Sequence, residues 1–247
     1  YGAQKRSNIS GSVSTINADE IAERPILRVE QALQGAAAGV QVAQVSGSPG
    51  SALTVRVRGV GTINNSDPLY IVDGIPVDGL DFLNPNDIES INVLKDAASA
   101  AIYGSRGANG VVLITTKGGK RNQVGRISYD MYYGIQRPAR LLDLLNAREY
   151  AIIQNEAYVA AGKTPLPEFA NPDAMGEGTD WQEAIFQNAP IVNHQLTFMG
   201  GGEKSTYTLS GDYFSQDGIV GGDKSNFTRG TVRLNSAQDL KSWLTLG

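Results

Sequence analysis

Two carboxylates in the first half of the chain have the chemistry required for general acid–base catalysis. Such catalysis needs two carboxyl groups flanking one bond, with pKa values pushed apart by their surroundings. However, Asp73 precedes Gly74 in a strong turn dipeptide, and Glu89 lies in a polar segment that enters a strand. Turn formation and salt bridging account for both residues. We therefore predict no catalytic residue and no enzyme activity.

Composition removes several other kinds of site. The 247 residues include no Cys and one His, which excludes a thiol nucleophile, a disulfide framework and a Cys-based metal centre. His194 begins a strand pattern, where a lone His is a polar lining residue far more often than a metal ligand. Gly59 and Gly61 lack the third glycine of a nucleotide-binding loop. The net charge of -4 indicates no nucleic-acid partner, and we predict no metal and no cofactor.

The elements that would position these residues are short and separated by glycine-rich turns. Leu53, Val55 and Val57 alternate with polar residues, which is the period of a half-buried strand. Helices are predicted at 27–38, which ends at Gly39, and at 97–103, which ends at Gly104. The remaining predicted strands are 40–42, 69–72, 91–94 and 111–116.

The same region resembles the plug domain of TonB-dependent outer-membrane transporters, specifically the SusC/RagA-like branch. The blocks that carry the resemblance occur in order over about half of the chain. They are Arg56–Gly59, Asp67–Pro76, Asn86–Ile91 with Val93–Asp96, Ala97–Val111 and Ile114–Gly119. Several ordered blocks are a far more specific signal than one short motif. The resemblance implies an α+β plug domain at 1–120, formed by a small mixed sheet with short helices.

In transporters of this kind, the outward loops of the plug touch the bound ligand. By resemblance, the candidate ligand contacts are Thr62, Asn64, Asn65, Asp78 and Asp81. Amides and carboxylates supply donors and acceptors, which suits a polyhydroxylated ligand. The alternative for each position is an ordinary turn residue.

Arg56 and Arg58 lie on a strand that is otherwise apolar and that runs into Gly59. A pair of arginines on a strand usually marks a solvated face. The resemblance offers a second interpretation, in which both side chains face carboxylates of a surrounding barrel wall. Arginine suits that role because its planar fork pairs bidentately with Asp or Glu.

After Lys120 the pattern changes to long alternating segments. Between 126 and 136, apolar side chains at odd positions alternate mainly with polar or small ones, and similar segments begin near 193, 205, 227 and 243. This alternation is typical of transmembrane barrel strands, which never produce a long apolar run. We predict the first antiparallel strands of a transmembrane β-barrel at 121–247, with a helical insert at about 141–190. The resemblance implies a plugged barrel of about 22 strands, of which we expect this chain to be a fragment.

The function implied by the resemblance is TonB-dependent import of a large nutrient, a glycan or a peptide, across the outer membrane. The implied partners are a SusD-like lipoprotein lid, the TonB–ExbB–ExbD energy-coupling complex and outer-membrane lipid. A TonB box is expected upstream of Tyr1. The alternative is a SusC-like structural gate that serves a larger outer-membrane assembly without importing a nutrient. A soluble glycan-binding β-protein or adhesin is a third possibility.

Overall fold

The fold is described from a computed structural model that covers residues 13–22, 24, 26–61, 65–96 and 100–247. Within these ranges, no helix is both long enough and apolar enough to cross a bilayer. Spatial contacts between residues divide the chain into two compact units. The first contains 1–133, 192–215 and 228–247, and the second contains 134–191 and 216–227.

A mixed sheet forms the centre of the first unit, in the order β1-β6-β7-β4-β5. Only β4 and β7 run parallel, and the other neighbours are antiparallel. The bounds are β1 Val13–Asn17, β4 Leu69–Val72, β5 Ile75–Val77, β6 Ile88–Leu94 and β7 Val111–Thr116. Both faces of this sheet are covered, and Ile88, Ile91, Val93 and Val111 are fully buried. The predicted α+β plug fold is therefore confirmed.

Asp73 and Gly74 form the two-residue turn between β4 and β5. Their φ angles are 49° and 87°. Two successive positive φ values define the type I′ turn, whose twist matches that of an antiparallel hairpin. The turn dipeptide predicted from the sequence is thus observed, and it directs the Asp73 side chain to a specific partner described below.

The helices around this sheet are shorter than the sequence predicts. The expected helix at 27–38 is present only as Val29–Ala32, and a second short helix spans Ala18–Ala22. Gly35 and Gly39 adopt positive φ angles of 73° and 76°, so the chain turns there instead of continuing as a helix. β2 (Val40–Gln44) and β3 (Leu53–Val57) then pair as a separate antiparallel ribbon.

The predicted helix at 97–103 falls partly on residues outside the described ranges. What the structure describes there is a 3₁₀ segment, Ala101–Gly107, interrupted at Gly104. Gly104 does adopt a positive φ, 65°, as a glycine at a helix end would, but its ψ of -154° is not that of a left-handed cap. A second 3₁₀ turn, Pro85–Asp87, leads directly into β6.

The second half of the chain forms an antiparallel meander in the order β12-β11-β10-β9-β8. The bounds are β8 Gln123–Gln136, β9 Ala189–Gly201, β10 Ser205–Asp217, β11 Asn226–Lys241 and β12 Leu244–Leu246. One face is apolar and exposed; it includes Tyr129 on β8, Leu196 on β9, Leu209 on β10 and Val232 on β11. The opposite face carries buried polar residues such as Thr197 and Thr208. This is the predicted alternation of a barrel wall.

The second unit contains the predicted helical insert. Its main helix is Ala147–Ala160, with Trp181–Ile185 and 3₁₀ turns at Pro167–Phe169, Pro172–Ala174 and Gly222–Lys224. Asn146 caps the main helix, because its Oδ1 accepts a hydrogen bond from the Glu149 amide at 2.9 Å and Glu149 Oε2 accepts from the Asn146 amide at 3.0 Å. The amide side chain of Gln182 bonds both backbone groups of Leu142.

Candidate functional site

Asp87, at the end of the 3₁₀ turn Pro85–Asp87, contacts two of the strands β8–β12, which are called the wall strands below. Its residue surface is 6% exposed. Oδ1 accepts a hydrogen bond from Nε2 of Gln195 on β9 at 2.5 Å, and Oδ2 accepts one from Oγ of Ser210 on β10 at 3.0 Å. Its backbone oxygen accepts from the Lys117 amide at 2.7 Å. One plug carboxylate thus bridges two adjacent wall strands.

The surroundings of Asp87 favour its protonated form. Burial raises the pKa of the Asp87 carboxyl above its ordinary value, because removing a charge from water is costly. Hydrogen bonds from Ser210 and Gln195, and the positive charges of Arg233 and Lys117, oppose this shift without cancelling it. The contact is therefore sensitive to the ionisation of a single side chain.

A second contact joins the Asp73 turn to β11. Asp73 Oδ1 accepts from the Thr116 amide at 2.9 Å, and Oδ2 accepts from Thr116 Oγ1 at 2.5 Å. Nη2 of Arg233 lies 3.5 Å from Asp73 Oδ2 and also donates to Thr116 Oγ1. A hydrogen-bonded ion pair of this kind is stronger than a neutral bond and fixes orientation. The Arg233 guanidinium thereby connects the wall to the last strand of the plug.

Arg229, four positions before Arg233 and on the same face of β11, forms the third contact. Nη2 lies 3.4 Å from Asp212 Oδ2 on β10, and Nη1 donates to the backbone oxygen of Asp81 at 3.0 Å. The guanidinium carbon lies 5.4 Å from the centre of the Phe214 ring, within the range of a cation–π interaction. Arg229 therefore holds the plug segment that contains Asp81 against the wall.

The covalent connection between plug and wall also makes a close backbone contact. Gly119 follows β7, and a Cβ built at this position would overlap the backbone oxygens of Gly200 and Tyr207. A backbone oxygen cannot move aside as a flexible side chain can. For Gly118, its neighbour, no described residue beyond the adjacent ones has an atom within 4 Å of the corresponding point. The connection is therefore tight at one residue and open at the next.

Three of the predicted ligand contacts lie within the described ranges, on two separate loops. Asp78 and Asp81 share the segment after β5, and their side chains are 105% and 67% exposed. Asp81 pairs with Arg28, whereas Asp78 lies 4.0 Å from Arg106. Asn65 lies between β3 and β4, and its Oδ1 accepts from the Asp67 amide at 2.8 Å.

Two of the predicted ligand contacts, Thr62 and Asn64, fall outside the described residues. The exposure of Asp78 and Asp81 is compatible with ligand contact, while Asn65 and Asp81 also make turn or ion-pair interactions of their own. The ligand-contact role of all five residues stays a prediction.

Arg56 and Arg58 have acceptors on the plug itself. Arg56 pairs with Asp67 and Arg58 with Asp96. One ion pair between plug and wall has its arginine, Arg233, on the wall and its carboxylate, Asp73, on the plug. That Arg56 and Arg58 themselves face carboxylates of a barrel wall stays a prediction.

Among the described residues, the other catalytic or ligating side chains singled out from the sequence lie apart from one another or in ordinary polar contacts. Glu89 is exposed on β6, whereas Asp73 accepts hydrogen bonds from Thr116 of β7. Nδ1 of His194 lies 2.7 Å from the Tyr129 hydroxyl. In the described part of the chain, no three His, Asp or Glu side chains come together as a metal site. The contacts observed between plug and wall are non-covalent hydrogen bonds and an ion pair.

Asp87, Arg229 and Arg233 join the plug to the wall strands, and together they are called the seam. They were not among the sequence predictions. A signal for them does exist in the alternation of the wall strands. Along each strand, the exposed apolar side chains alternate with polar ones, which include Gln195, Ser210, Arg229 and Arg233. Because successive side chains of a strand point to opposite faces, these four face away from the exposed apolar side. Strand parity identifies the face, but it does not identify the plug residue that each side chain meets.

Comparisons with known proteins agree with this architecture. Residues 5–111 match the family model described as TonB-dependent Receptor Plug Domain. TonB-dependent receptor P26 of Formosa agariphila is 43% identical over 89% of the chain, which corresponds to 23% of that protein. TonB-dependent receptor SusC of Bacteroides thetaiotaomicron is 36% identical over 96% of the chain and 24% of that protein. The chain thus spans about a quarter of the length of these relatives.

Solved structures give the same result at the level of the fold. The structure of the RagAB peptide importer in its closed-closed state matches with a TM-score of 0.84 and 33% identity, over 96% of this chain and 30% of that one. The siderophore receptor PirA from Acinetobacter baumannii matches with a TM-score of 0.59 and 18% identity, over 94% of this chain and 30% of that one. At that lower identity the likeness concerns the fold alone.

Proposed function

The chain is a SusC/RagA-like member of the TonB-dependent outer-membrane receptors, and on that premise we propose that its plug gates the import of a large nutrient. The observation that carries the proposal is the seam at Asp87 and Arg233, where a plug is held to wall strands by a few hydrogen bonds and ion pairs. Contacts of this kind can break and re-form without covalent chemistry. No enzyme activity is required for such a gate.

The proposed cycle has three steps. A SusD-like lipoprotein lid and the outer plug loops, including Asp78 and Asp81, trap the ligand. The TonB–ExbB–ExbD complex then pulls a box upstream of the plug. The seam contacts then break, and part of the plug moves or unfolds. This opens a path through the barrel for the ligand. The apolar outer face of β8–β12 would meet outer-membrane lipid. Residues 1–120 as plug and 121–247 as wall remain our proposed division.

The nutrient is a glycan or a peptide. A glycan fits the amides and carboxylates of the predicted ligand loops, whereas one structural relative is described as a peptide importer. Specificity in a barrel also depends on the strands and loops that would complete the wall, so the general class of a large nutrient is the level at which the function is proposed.

The test is to isolate the full-length protein from detergent-solubilised outer membrane and identify the accompanying molecules by mass spectrometry. Co-purification of a lipoprotein lid with a bound glycan or peptide supports the importer. Uptake of that nutrient by cells should then require both this protein and TonB. Recovery of a large envelope assembly, with no lid and with uptake unchanged on deletion, would favour the structural gate instead.

A further inference from the structure

An open groove of about 330 Å³ crosses the exposed apolar face of the wall strands, on the side away from the plug. It extends from Tyr129 on β8, over β9 and β10, to Val232 on β11, and its lining residues all belong to the first unit. Further strands of a barrel would pair with the sheet edges, β8 and β12. They would therefore leave this face, and the groove in it, uncovered.

Two glycines create the groove. Gly211 on β10 and Gly230 on β11 belong to alternating series whose other exposed members include Leu209, Tyr213 and Val232. Neither glycine adopts a positive φ, and a Cβ built at either would come no closer than 3.9 Å to a described atom outside its chain neighbours. Backbone conformation and packing therefore permit a side chain at both positions. The groove exists because these two side chains are missing.

A hydrogen-bond donor lies at the β8–β9 end of the groove. The Tyr129 hydroxyl is 2.7 Å from Nδ1 of His194, and the two rings stack with their centres 6.1 Å apart. In apolar surroundings the phenolic proton needs an acceptor, so the hydroxyl donates to Nδ1. The neutral imidazole then carries its own proton on Nε2, which makes no hydrogen bond to another described residue. This N–H is available to whatever occupies the groove.

The donor lies near one end of the apolar band of β8. The exposed apolar series of this strand starts at Ile127 and continues to Ile135, so Tyr129 is about 7 Å along the strand from its first member. Tyrosine is typical of the level at which lipid headgroups meet the hydrocarbon, and the ester carbonyls of a phospholipid lie at that level. Among the described residues that line the groove there is no Lys or Arg, so a phosphate group would find no cation there.

We propose that the groove binds one acyl chain of an outer-membrane phospholipid, whose ester carbonyl accepts a hydrogen bond from Nε2 of His194. The groove is continuous with the apolar face that would meet lipid, and a flexible alkyl chain restores the dispersion contacts that an empty groove forfeits. The lipid is recognised by its chain and carbonyl, not by its headgroup. The inference rests on the proposed position of the wall in the outer membrane and is independent of nutrient import.

The test is lipid titration of the full-length protein in detergent, followed by native mass spectrometry. The probes are palmitoyl-oleoyl phosphatidylethanolamine, the matching phosphatidylglycerol, and a diether phosphatidylethanolamine that lacks both ester carbonyls. Gly211→Leu and Gly230→Leu fill the groove, and His194→Phe keeps a ring but removes the donor. Thr228→Leu is the matched control, because Thr228 is exposed on the same face of β11 and does not line the groove.

We expect the first phospholipid to bind the wild-type protein with affinities for the two ester lipids that agree within about twofold, since no cation reads the headgroup. Filling the groove should weaken this binding about tenfold through lost chain contacts. His194→Phe, and the diether lipid on the wild type, should each weaken it about fivefold through the lost hydrogen bond. Thr228→Leu should leave it unchanged.

Unchanged lipid affinity in either groove-filling variant would overturn the proposal, and so would a strong preference for one headgroup. Equal binding of the ester and diether lipids to the wild type, a comparison that needs no variant, would overturn the role of His194. A shift from dimer to monomer in Gly230→Leu by light scattering, with lipid binding unchanged, would assign the groove to a second copy of the chain. Failure of TonB-dependent uptake would contradict the proposed function and leave the lipid result intact.

Discussion

Asp87 of the plug accepts a hydrogen bond from Gln195 of β9 at 2.5 Å, and the two residues are 6% and 2% exposed. We expect Asp87→Ala to lower the free energy of unfolding by roughly 1–3 kcal/mol, because Nε2 of Gln195 would remain buried without an acceptor. The measurement is urea unfolding of the full-length protein, followed by protease sensitivity of the plug. Asp87→Asn keeps one acceptor and should cost much less. Equal losses in the two variants would contradict this role.

The raised pKa of Asp87 predicts a pH dependence of plug stability. Burial raises the pKa in the folded protein, so the folded state holds this proton at pH values where the unfolded chain, with a pKa of about 3.9, has released it. The stabilising contribution is therefore complete below the unfolded pKa and is lost as pH rises through the folded pKa.

We expect this component of the pH profile to disappear in Asp87→Asn. The measurement is the midpoint of plug unfolding at a series of pH values in the wild type and the variant. Subtracting the two profiles isolates Asp87 from the other carboxylates of the protein. Parallel profiles would show that Asp87 does not titrate differently in the folded and unfolded states.

Gly119 should tolerate no side chain. A Cβ there would overlap the backbone oxygens of Gly200 and Tyr207, so Gly119→Ala should cost about 1–3 kcal/mol through overpacking and reduce the amount of folded protein in the outer membrane. Gly118→Ala is the matched control, since among the described residues no atom outside its chain neighbours lies within 4 Å of its Cβ position. The measurement is the amount of each variant recovered in the outer membrane with a plug that resists protease. A normal yield for Gly119→Ala would mean that the connection is less tight than described.

Arg233 and Arg121 offer a comparison between a sheltered and an exposed pair. The side chain of Arg233 is 22% exposed and contacts both Asp73 and Thr116, whereas that of Arg121 is 58% exposed and pairs with Asp239. Arg233→Ala should destabilise the plug by roughly 1–3 kcal/mol, and Arg121→Ala by no more than about 1 kcal/mol. Denaturant unfolding of both variants tests this order. A larger effect at Arg121 would contradict it.

Asp78 is the candidate ligand contact that can be altered with least disturbance to the fold. Its side chain is fully exposed and lies 4.0 Å from the guanidinium of Arg106. We expect Asp78→Asn to leave the unfolding midpoint unchanged while lowering affinity for the co-purified nutrient about fivefold, the scale of one hydrogen bond of about 1 kcal/mol. Asp81→Asn should reduce both the unfolding midpoint and the nutrient affinity, because Asp81 also pairs with Arg28. Unchanged nutrient affinity in Asp78→Asn would remove this residue from the ligand loops.

The local elements were largely predictable from the sequence because their signals are local. β3, β4 and β7 have the predicted bounds, since alternating or continuous apolar runs ended by glycine or turn residues define them. The helix predicted at 27–38 was too long, because apolar spacing alone does not reveal that Gly35 and Gly39 turn the chain. Which wall residue each plug residue of the seam contacts was not predictable from the sequence. Asp87 meets Gln195 and Ser210 only after two separately patterned segments have packed together, and no local pattern records that register.

The antiparallel pairing of β1 with β6 determines how the plug would respond to a pull from its N-terminal side. Val13 lies opposite Leu94, while Asp87 precedes the other end of β6 and is fixed to the wall. A tension applied before Val13 and resisted at Asp87 therefore acts along both strands from opposite ends. Their ladder is loaded in shear, with its hydrogen bonds sharing the force, and does not peel open one bond at a time. The mechanical weak point then shifts from the β1–β6 ladder to the side-chain contacts of Asp87.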